Sequence, residues 1–247
     1  TGLSRTLLNK REMPASLKTA LAENRIKRIL FIGQGTAGIA AQGCANLLSH
    51  FLDSRKIEIR ALKASELSGF SISDPDSKTS MAEDLVMAIS QSGTTTDTNR
   101  AVDIVKNCGA HTIAIVHRME SDLTYNTDGV IYTRSVRDIE KSVASTKAFY
   151  SQIAAGAIFG LYLAELLDTR SPEAITEEIS ELSALPGKME EILLMKEEIK
   201  ASADRLAVTK NYWATVGSGA NKTSADEIRI KLSELCYKTI SSDYTED

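Results

Sequence analysis

The sequence predicts an α/β fold: a doubly wound, parallel five-stranded sheet, then a helical connector, then the start of a second domain. Two observations lead to this prediction. Short, continuously apolar segments alternate with longer segments of helical periodicity, and a pattern of strand, glycine loop and helix near the N-terminus recurs near the C-terminus. Continuous apolar strands separated by helices are typical of a parallel sheet covered on both faces, with right-handed crossovers between its strands.

Residues 1–170 are predicted to form the first domain. Helical patterns at 36–52 and 95–106 follow the first and third strands, and a long helix over 145–167 completes the domain. The predicted strands are 28–32, 57–62, 85–89, 112–116 and 129–132.

Residues 171–208 are predicted to form the helical connector. Pro172 suits the first turn of a helix, where the missing N–H of proline is not needed. Pro186 should interrupt that helix, because proline removes an internal hydrogen bond. Between 182 and 206, apolar residues recur at helical spacing beside charged ones.

Residues 209–247 are predicted to begin a second domain that arose by duplication. Residues 31–35, Phe-Ile-Gly-Gln-Gly, resemble residues 215–219, Thr-Val-Gly-Ser-Gly, and a helical segment follows each. The second copy shows one strand and one helix before Asp247, and a lone strand cannot close its own hydrogen bonds. We therefore expect the chain to end inside its second domain.

Composition argues against several classes of protein. The net charge of −4 gives no reason to expect nucleic acid or a membrane surface as the partner. The three cysteines form no Cys-x-x-Cys pair, which favours a reducing cytoplasm over a disulfide framework. The three histidines lack metal-ligand spacing, so we predict no metal and expect no cofactor. The longest apolar stretch, 153–167, is too short to span a bilayer and is predicted to be a buried helix.

A run of hydroxyl-bearing residues follows the third predicted strand. Residues 90–95 read Ser-Gln-Ser-Gly-Thr-Thr, and ligands of open α/β sheets bind outside the carboxyl ends of the strands. Together with the free N–H groups at the start of the next helix, these hydroxyls suit a single phosphate group. The Gly-Lys-Ser/Thr of nucleotide triphosphate loops is missing. Capping of the helix by the same hydroxyls is an equally good explanation.

Residues 33–38 match the pattern Gly-x-Gly-x-x-Gly between a strand and a helix. The pattern suggests dinucleotide binding, but the second strand runs to Lys63 without the acidic residue that holds a ribose. A tight turn at the ligand-facing edge of the sheet, with Thr36 pointing towards the ligand, is the better interpretation.

Two further segments have a structural and a functional interpretation each. Residues 142–147, Ser-Val-Ala-Ser-Thr-Lys, could hold sugar hydroxyls, or Ser145 could cap the long helix. Four charged residues farther along recur at helical spacing, either as a solvated salt-bridge ladder or as a Lys/Glu pair for proton transfer beside a carbonyl. They are Glu227, Lys231, Glu234 and Lys238.

These motifs, in this order, resemble the isomerase part of the glutamine–fructose-6-phosphate aminotransferases (glucosamine-6-phosphate synthases). That part consists of two sugar isomerase (SIS) domains of flavodoxin-like fold in tandem. The resemblance covers about residues 27–239. It rests on Gly35-Thr36, on 64–66, on 90–93 with Thr95 and 97–98, on 143–149, and on 217–219 with Lys231 and Glu234.

The resemblance implies fructose 6-phosphate as the substrate and gives each site residue a role. Glu234 moves a proton between C1 and C2, and Lys231 assists at the C1 oxygen. A ketose-to-aldose shift needs a carboxylate within reach of both carbons, and a fixed phosphate positions them. The residues implied in binding are Ser90, Gln91, Ser92 and Thr95 at the phosphate, and Thr36, Val143 and Ser145 at the sugar.

The sequence also departs from the family pattern. Ala37 stands where the family has a serine, so one phosphate hydroxyl is lost, and Thr94 and Ser233 replace a glutamate and a lysine. The family's glutaminase domain is missing from the sequence, and its ring-opening histidine and Schiff-base lysine would lie beyond Asp247. We therefore expect this chain alone not to complete the amination.

The activity implied is conversion of fructose 6-phosphate to glucosamine 6-phosphate with ammonia from glutamine, in a cytoplasmic homodimer. Two alternatives remain open. One is a deglycase or deaminase of a 6-phosphorylated amino sugar. The other is a non-catalytic sugar-phosphate sensor, in which Lys231 and Glu234 would be dispensable.

Overall fold

A parallel sheet of five strands forms the centre of the first part of the chain. The computed structural model describes residues 12–52, 56–71, 80–133 and 145–246. The strand order is β2-β1-β3-β4-β5, and the predicted fold class is confirmed. The strands are β1 (Arg28–Gly33), β2 (Glu58–Lys63), β3 (Asp84–Ser90), β4 (His111–Val116) and β5 (Gly129–Tyr132).

The chain divides into two compact units, Thr1–Arg170 and Ser171–Asp247. The finer division into a first domain, a connector and a second domain at 209–247 stays a prediction. The helices of the first unit are α1 (Ala15–Ala22), α2 (Thr36–Phe51), α3 (Ala64–Glu66), α4 (Thr96–Asn107), α5 (Asp122–Asn126) and α6 (Lys147–Leu166), and a π-helical turn, Leu67–Ser71, continues α3.

Different helices cover the two faces of this sheet. Alternate residues of a strand point to opposite faces, and Leu30 and Ile32 of β1 share one apolar cluster with α4. Ile29 and Phe31 are fully buried and point the other way. On that side α2 packs closely against α6, because a Cβ at Gly156 would lie 2.3 Å from the Sγ of Cys44. Between β1 and β3 the chain therefore passes from the face of the sheet that α2 covers to the face that α4 covers.

Among the described residues, α6 is the one helix that is long and apolar enough to cross a membrane by length and composition alone. Its most apolar window is 56% buried inside the structure. Such burial is typical of the core helix that the apolar stretch at 153–167 predicts. The helix extends beyond that stretch at its N-terminal end, because Ala148, Phe149 and Gln152 are also buried.

The second unit begins with a helix whose start is well defined. The Oγ of Ser171 accepts a hydrogen bond from the N–H of Ala174 at 3.2 Å, and Pro172 occupies the first turn as predicted. The elements of this unit are α7 (Pro172–Leu194), α8 (Lys196–Leu206), β6 (Ala214–Val216), α9 (Ala220–Cys236) and β7 (Ser241–Asp243).

The prediction that Pro186 interrupts this helix is wrong. Helix α7 continues through Pro186, and the break falls at Met195, where φ is −83° and ψ is 9°. No residue of α7 is buried. Water can therefore bond the carbonyl that the proline leaves without a partner, and the proline is tolerated.

The prediction that the second copy has a single strand is also wrong. Strand β7 pairs in parallel with β6, with Ala214 opposite Ser241 and Val216 opposite Asp243. The partner strand supplies the backbone hydrogen bonds that a lone strand would lack. The sequence hides β7 because Ser-Ser-Asp has none of the apolar or β-branched residues that mark a strand.

The repeated glycine loops have the same backbone geometry. Gly35 has φ 58° and ψ −132°, and Gly219 has φ 57° and ψ −131°. A Cβ at Gly33 would lie 2.5 Å from the carbonyl oxygen of Ala37, and a Cβ at Gly217 would lie 2.4 Å from that of Asn221. Each loop therefore needs one glycine for its positive φ and another for close approach to the following helix.

Candidate functional site

The carboxyl ends of β1 and β3 lie side by side at one edge of the sheet. The chain leaves β1 towards α2 and leaves β3 towards α4, which cover opposite faces. This is the point where the strand order reverses, and it is where open α/β sheets bind their ligands. Residues 33–36 and 90–95 are the segments that leave the two strands here.

Residues 90–95, called the phosphate loop below, have their shape fixed by Ser90 and Gly93. Ser90 is 2% exposed, and its Oγ accepts a hydrogen bond from the N–H of Gly93 at 2.9 Å. Gly93 has φ +66°, and a Cβ there would lie 1.9 Å from the Oγ of Ser121. Ser90 therefore shapes the loop as an acceptor, while its own O–H remains able to donate.

The remaining hydroxyls of the phosphate loop are not used to cap α4. Thr95 occupies the N-cap position but makes no side-chain capping bond. The Oγ of Ser92 accepts bonds from the N–H and the Oγ1 of Thr94, at 3.2 and 3.1 Å. The capping explanation of this run is therefore not supported at Thr95. The N–H groups in the first turn of α4 have no partner within the helix, and they favour an anion.

The first glycine loop, residues 33–36, contacts residues 64–66, for which the sequence predicts no role in the site. The N–H of Ser65 bonds the Oε1 of Gln34 at 3.4 Å, so the first glycine loop is tied to the start of α3. Thr36 is the first residue of α2 and is half-buried. Strand β2 ends at Lys63, so no acidic residue stands there to hold the ribose of a dinucleotide.

Ser145 lies just before α6 with a buried hydroxyl that has no hydrogen-bond partner. The prediction that Ser145 caps the helix is wrong, because Thr146 holds the N-cap position. A buried hydroxyl without a partner is rare, so this oxygen is available to a ligand or a water. Val143 lies outside the described residues.

Lys231 and Glu234 contact each other on α9 in the second unit. The Nζ of Lys231 lies 2.9 Å from the Oε2 of Glu234 and 3.8 Å from the Oε1 of Glu227. The Lys231 side chain is 17% exposed, so this cluster is not a fully solvated ladder. Each unit thus holds one part of the predicted site: the phosphate loop with Thr36 and Ser145 in the first, the Lys/Glu pair in the second.

The prediction that Lys238 lies on the same helix face as Glu227, Lys231 and Glu234 is wrong. Helix α9 ends at Cys236, and Tyr237 takes the left-handed conformation. Lys238 is therefore off the helix: its Nζ donates to the carbonyl of Lys210 at 3.0 Å and lies 4.1 Å from the centre of the Trp213 ring.

Asn99 is a residue of α4 whose contacts no sequence motif predicts. Its Nδ2 donates to the carbonyls of Gly93 and Thr95, at 3.2 and 3.1 Å. Asn99 thus ties two carbonyls of the phosphate loop to α4. The sequence indicates this role only through the position of Asn99, one helical turn after Thr95. Polar residues are common at such positions, so the position alone does not identify it.

Nothing in the described segments groups three or more histidine, cysteine or acidic residues as a metal site. Cys44, the one buried cysteine, is not a candidate nucleophile. Burial raises the pKa of its thiol to about 12, and the thiol is the unreactive form.

The fold and this sheet edge define the class of protein. Residues 72–161, which lie within the first unit, match the family model described as "SIS domain". The resemblance to the tandem SIS region of the aminotransferases is confirmed by the relatives. The chain is 32% identical over 214 residues to glutamine–fructose-6-phosphate aminotransferase [isomerizing] from Corynebacterium glutamicum. It is 37% identical over 153 residues to the protein of that name from Mycolicibacterium smegmatis.

The matches cover only part of these relatives. The first match spans 86% of this chain and 32% of the C. glutamicum protein, and the second spans 62% and 24%. The structure is also similar to the C-terminal domain of glucosamine-fructose-6-phosphate aminotransferase from Francisella tularensis, with a TM-score of 0.81 at 24% identity over 99% of this chain and 67% of that chain. Glucosamine-6-phosphate deaminase from Thermotoga maritima has a TM-score of 0.69 at 19% identity, over 99% and 66%. At these identities the structural likeness establishes the fold alone.

Proposed function

We propose that this chain is the sugar-phosphate-binding and isomerase region of an aminotransferase that converts fructose 6-phosphate to glucosamine 6-phosphate with ammonia from glutamine. The observation that carries the proposal is the phosphate loop. It has donors that the fold does not use, at the sheet edge where such folds bind ligands. The names of the relatives support the choice of substrate.

The phosphate group would lie at the start of α4. Thr95 makes no capping bond, and the oxygens of Ser90 and Ser92 accept bonds within the loop, so all three hydroxyls can donate outward. Gln91 would add an amide donor. Ser145 and Thr36, with Val143, would then contact the sugar, and the buried, unpaired Oγ of Ser145 supports this assignment.

The Lys/Glu pair would carry the isomerisation. Ammonia adds to C2 of the open ketose with loss of water, and a proton then moves from C1 to C2 to give the amino aldose. Glu234 would remove the proton from C1 and return it at C2, while Lys231 would hold the C1 oxygen. The 2.9 Å contact between their charged atoms places an ammonium next to the carboxylate. The homodimer and the cytoplasmic location that the resemblance implies are part of this proposal; sedimentation and fractionation test them.

The test is Glu234→Gln in the intact protein. A general base typically contributes about 10²–10⁴-fold, so kcat for isomerisation should fall by about that factor while the affinity for fructose 6-phosphate changes little. Glu197→Gln is the matched control, because Glu197 lies in the first turn of α8, where no residue is buried. A Glu234→Gln protein with a near wild-type rate would contradict the role of Glu234.

The same assays separate the alternatives. A deaminase would release ammonia from glucosamine 6-phosphate and would not need glutamine. A sensor would bind fructose 6-phosphate, and so gain thermal stability in proportion to ligand concentration, without turning it over. Stabilisation by NAD and not by a sugar phosphate would overturn the assignment of the site.

A further inference from the structure

The phosphate loop is bound along its length to the turn that follows β4. This turn, residues 117–121, is called the β4 turn below. The N–H of His117 donates to the carbonyl of Ser90 at 3.3 Å, and the N–H of Arg118 donates to that of Gln91 at 3.0 Å. The close approach of Gly93 to Ser121 joins the far end of the two segments. The β4 turn is therefore a second wall of the phosphate site.

Arg118 is a cationic residue of the β4 turn. Its amide is fixed beside Gln91, and its side chain is exposed. Two acidic residues follow closely, Glu120 and Asp122, but no salt bridge between described residues includes Arg118. Within the part of the chain that the structure describes, the guanidinium of Arg118 thus has no ion-pair partner.

The phosphate loop itself supplies no positive charge. Residues 90–98 contain neither lysine nor arginine, and Asp97 adds a negative charge in the first turn of α4. Ala37 leaves the site without a hydroxyl that the resemblance would predict. A phosphate monoester carries about −1.5 to −2 charge at neutral pH, and hydroxyl and amide donors alone do not balance it.

We propose that Arg118 binds the phosphate group from the β4 turn and supplies the charge that the phosphate loop lacks. The inference rests on the proposed function, because it takes the phosphate loop as the site of a phosphorylated sugar. Arginine suits this role, since its planar guanidinium can donate two hydrogen bonds to two phosphate oxygens at once. The long side chain starts beside Gln91, next to the donors of the loop.

The experiment measures the affinity of the intact protein for fructose 6-phosphate and for inorganic phosphate in the Arg118→Ala variant. Loss of one charged hydrogen-bond donor at a partly exposed site should weaken both affinities about five- to tenfold. The salt dependence of binding should become weaker, because a screened charge pair is gone. Arg118→Lys should recover part of the loss. The control is Arg100→Ala on α4, whose exposed side chain should leave both affinities unchanged.

The outcomes distinguish this inference from the function on which it rests. If the wild-type protein binds fructose 6-phosphate and Arg118→Ala binds it equally well, with the same salt dependence, the role of Arg118 is wrong and the site stands. If the wild-type protein binds neither ligand, the proposed function fails and the inference fails with it. Unfolding of ligand-free Arg118→Ala at the wild-type temperature confirms that a weakened affinity is not a folding defect.

Discussion

The two glycine loops share one backbone geometry but differ in what surrounds them. In the first unit the loop lies beside the phosphate loop, where Thr95 makes no side-chain capping bond, and the same unit holds the buried, unpartnered hydroxyl of Ser145. In the second unit the Oγ of Ser218 is bonded to the Oγ1 of Thr245 at 2.8 Å. The Nζ of Lys222 pairs with Asp226 at 2.5 Å. The repeated motif is thus a way to turn a strand into a helix, and binding depends on unpaired donors nearby.

The largest expected effect is on stability and comes from substituting, in each glycine loop, the glycine that closely approaches the following helix. Gly33→Ala and Gly217→Ala both place a Cβ within 2.5 Å of a backbone oxygen, which the helix cannot avoid without moving. Each should destabilise its own unit by about 2–4 kcal/mol. Gly33→Ala should also abolish binding of fructose 6-phosphate, because the first loop lies at the same edge of the sheet as the phosphate loop, and Gly217→Ala is expected to leave binding intact. Thermal unfolding with and without the sugar phosphate measures both quantities.

The comparison is contradicted if Gly217→Ala abolishes binding while the first unit stays folded. Far-ultraviolet circular dichroism and near-ultraviolet signals from Trp213, the single tryptophan, report on the second unit during the same titration. Equal effects of the two substitutions on binding would mean that the second loop also contributes to the ligand site.

A smaller effect is expected from removing single hydroxyls. Thr95→Val keeps the shape of the side chain and removes a hydroxyl that makes no capping bond. The stability of the ligand-free protein should be unchanged and the affinity for fructose 6-phosphate should fall about tenfold. Ser218→Ala should do the opposite: it loses the bond to Thr245, so stability falls by about 1 kcal/mol, while the affinity is unchanged. Isothermal calorimetry and urea unfolding test the pair; a lower stability in Thr95→Val would mean that the threonine caps α4 after all.

The sheet and most helices could be predicted because burial dictates them. All seven residues of β3 are buried, and such strands appear in the sequence as continuous apolar runs. The predictions that fail concern residues that are exposed or only half-buried. Exposed α7 tolerates Pro186, half-buried Lys238 leaves the helix for Trp213, and β7, with two of its three residues exposed, has no apolar pattern.

The sequence indicates the residues of the candidate site, but it does not indicate the hydrogen bonds between them. The order of the motifs indicated the phosphate loop, the 142–147 loop and the Lys/Glu pair. The hydroxyls that the fold uses are set by geometry: the Oγ of Ser90 accepts a bond from the N–H of Gly93, while Thr95 in the same loop makes no side-chain capping bond. Arg118 was invisible for a similar reason, since only the register of β4 on β3 brings it beside Gln91.

The smallest expected effect is on the rate at which cysteines are modified. One cysteine in each unit reports on the opening of that unit. Cys44 is buried on α2 with its pKa raised to about 12 by burial, whereas Cys236 at the end of α9 is exposed. A thiol reagent at pH 8 should modify Cys236 rapidly and Cys44 only when the first unit opens, because the thiolate is the reacting form. Gly33→Ala should speed modification of Cys44 and leave Cys236 unaffected, while Gly217→Ala should leave Cys44 protected.

Mass mapping of the labelled peptides resolves the sites, with Cys108 as an internal reference. Rapid labelling of Cys44 in Gly217→Ala would show that the two units do not open independently, and the comparison between their loops would then have to be made on the whole chain.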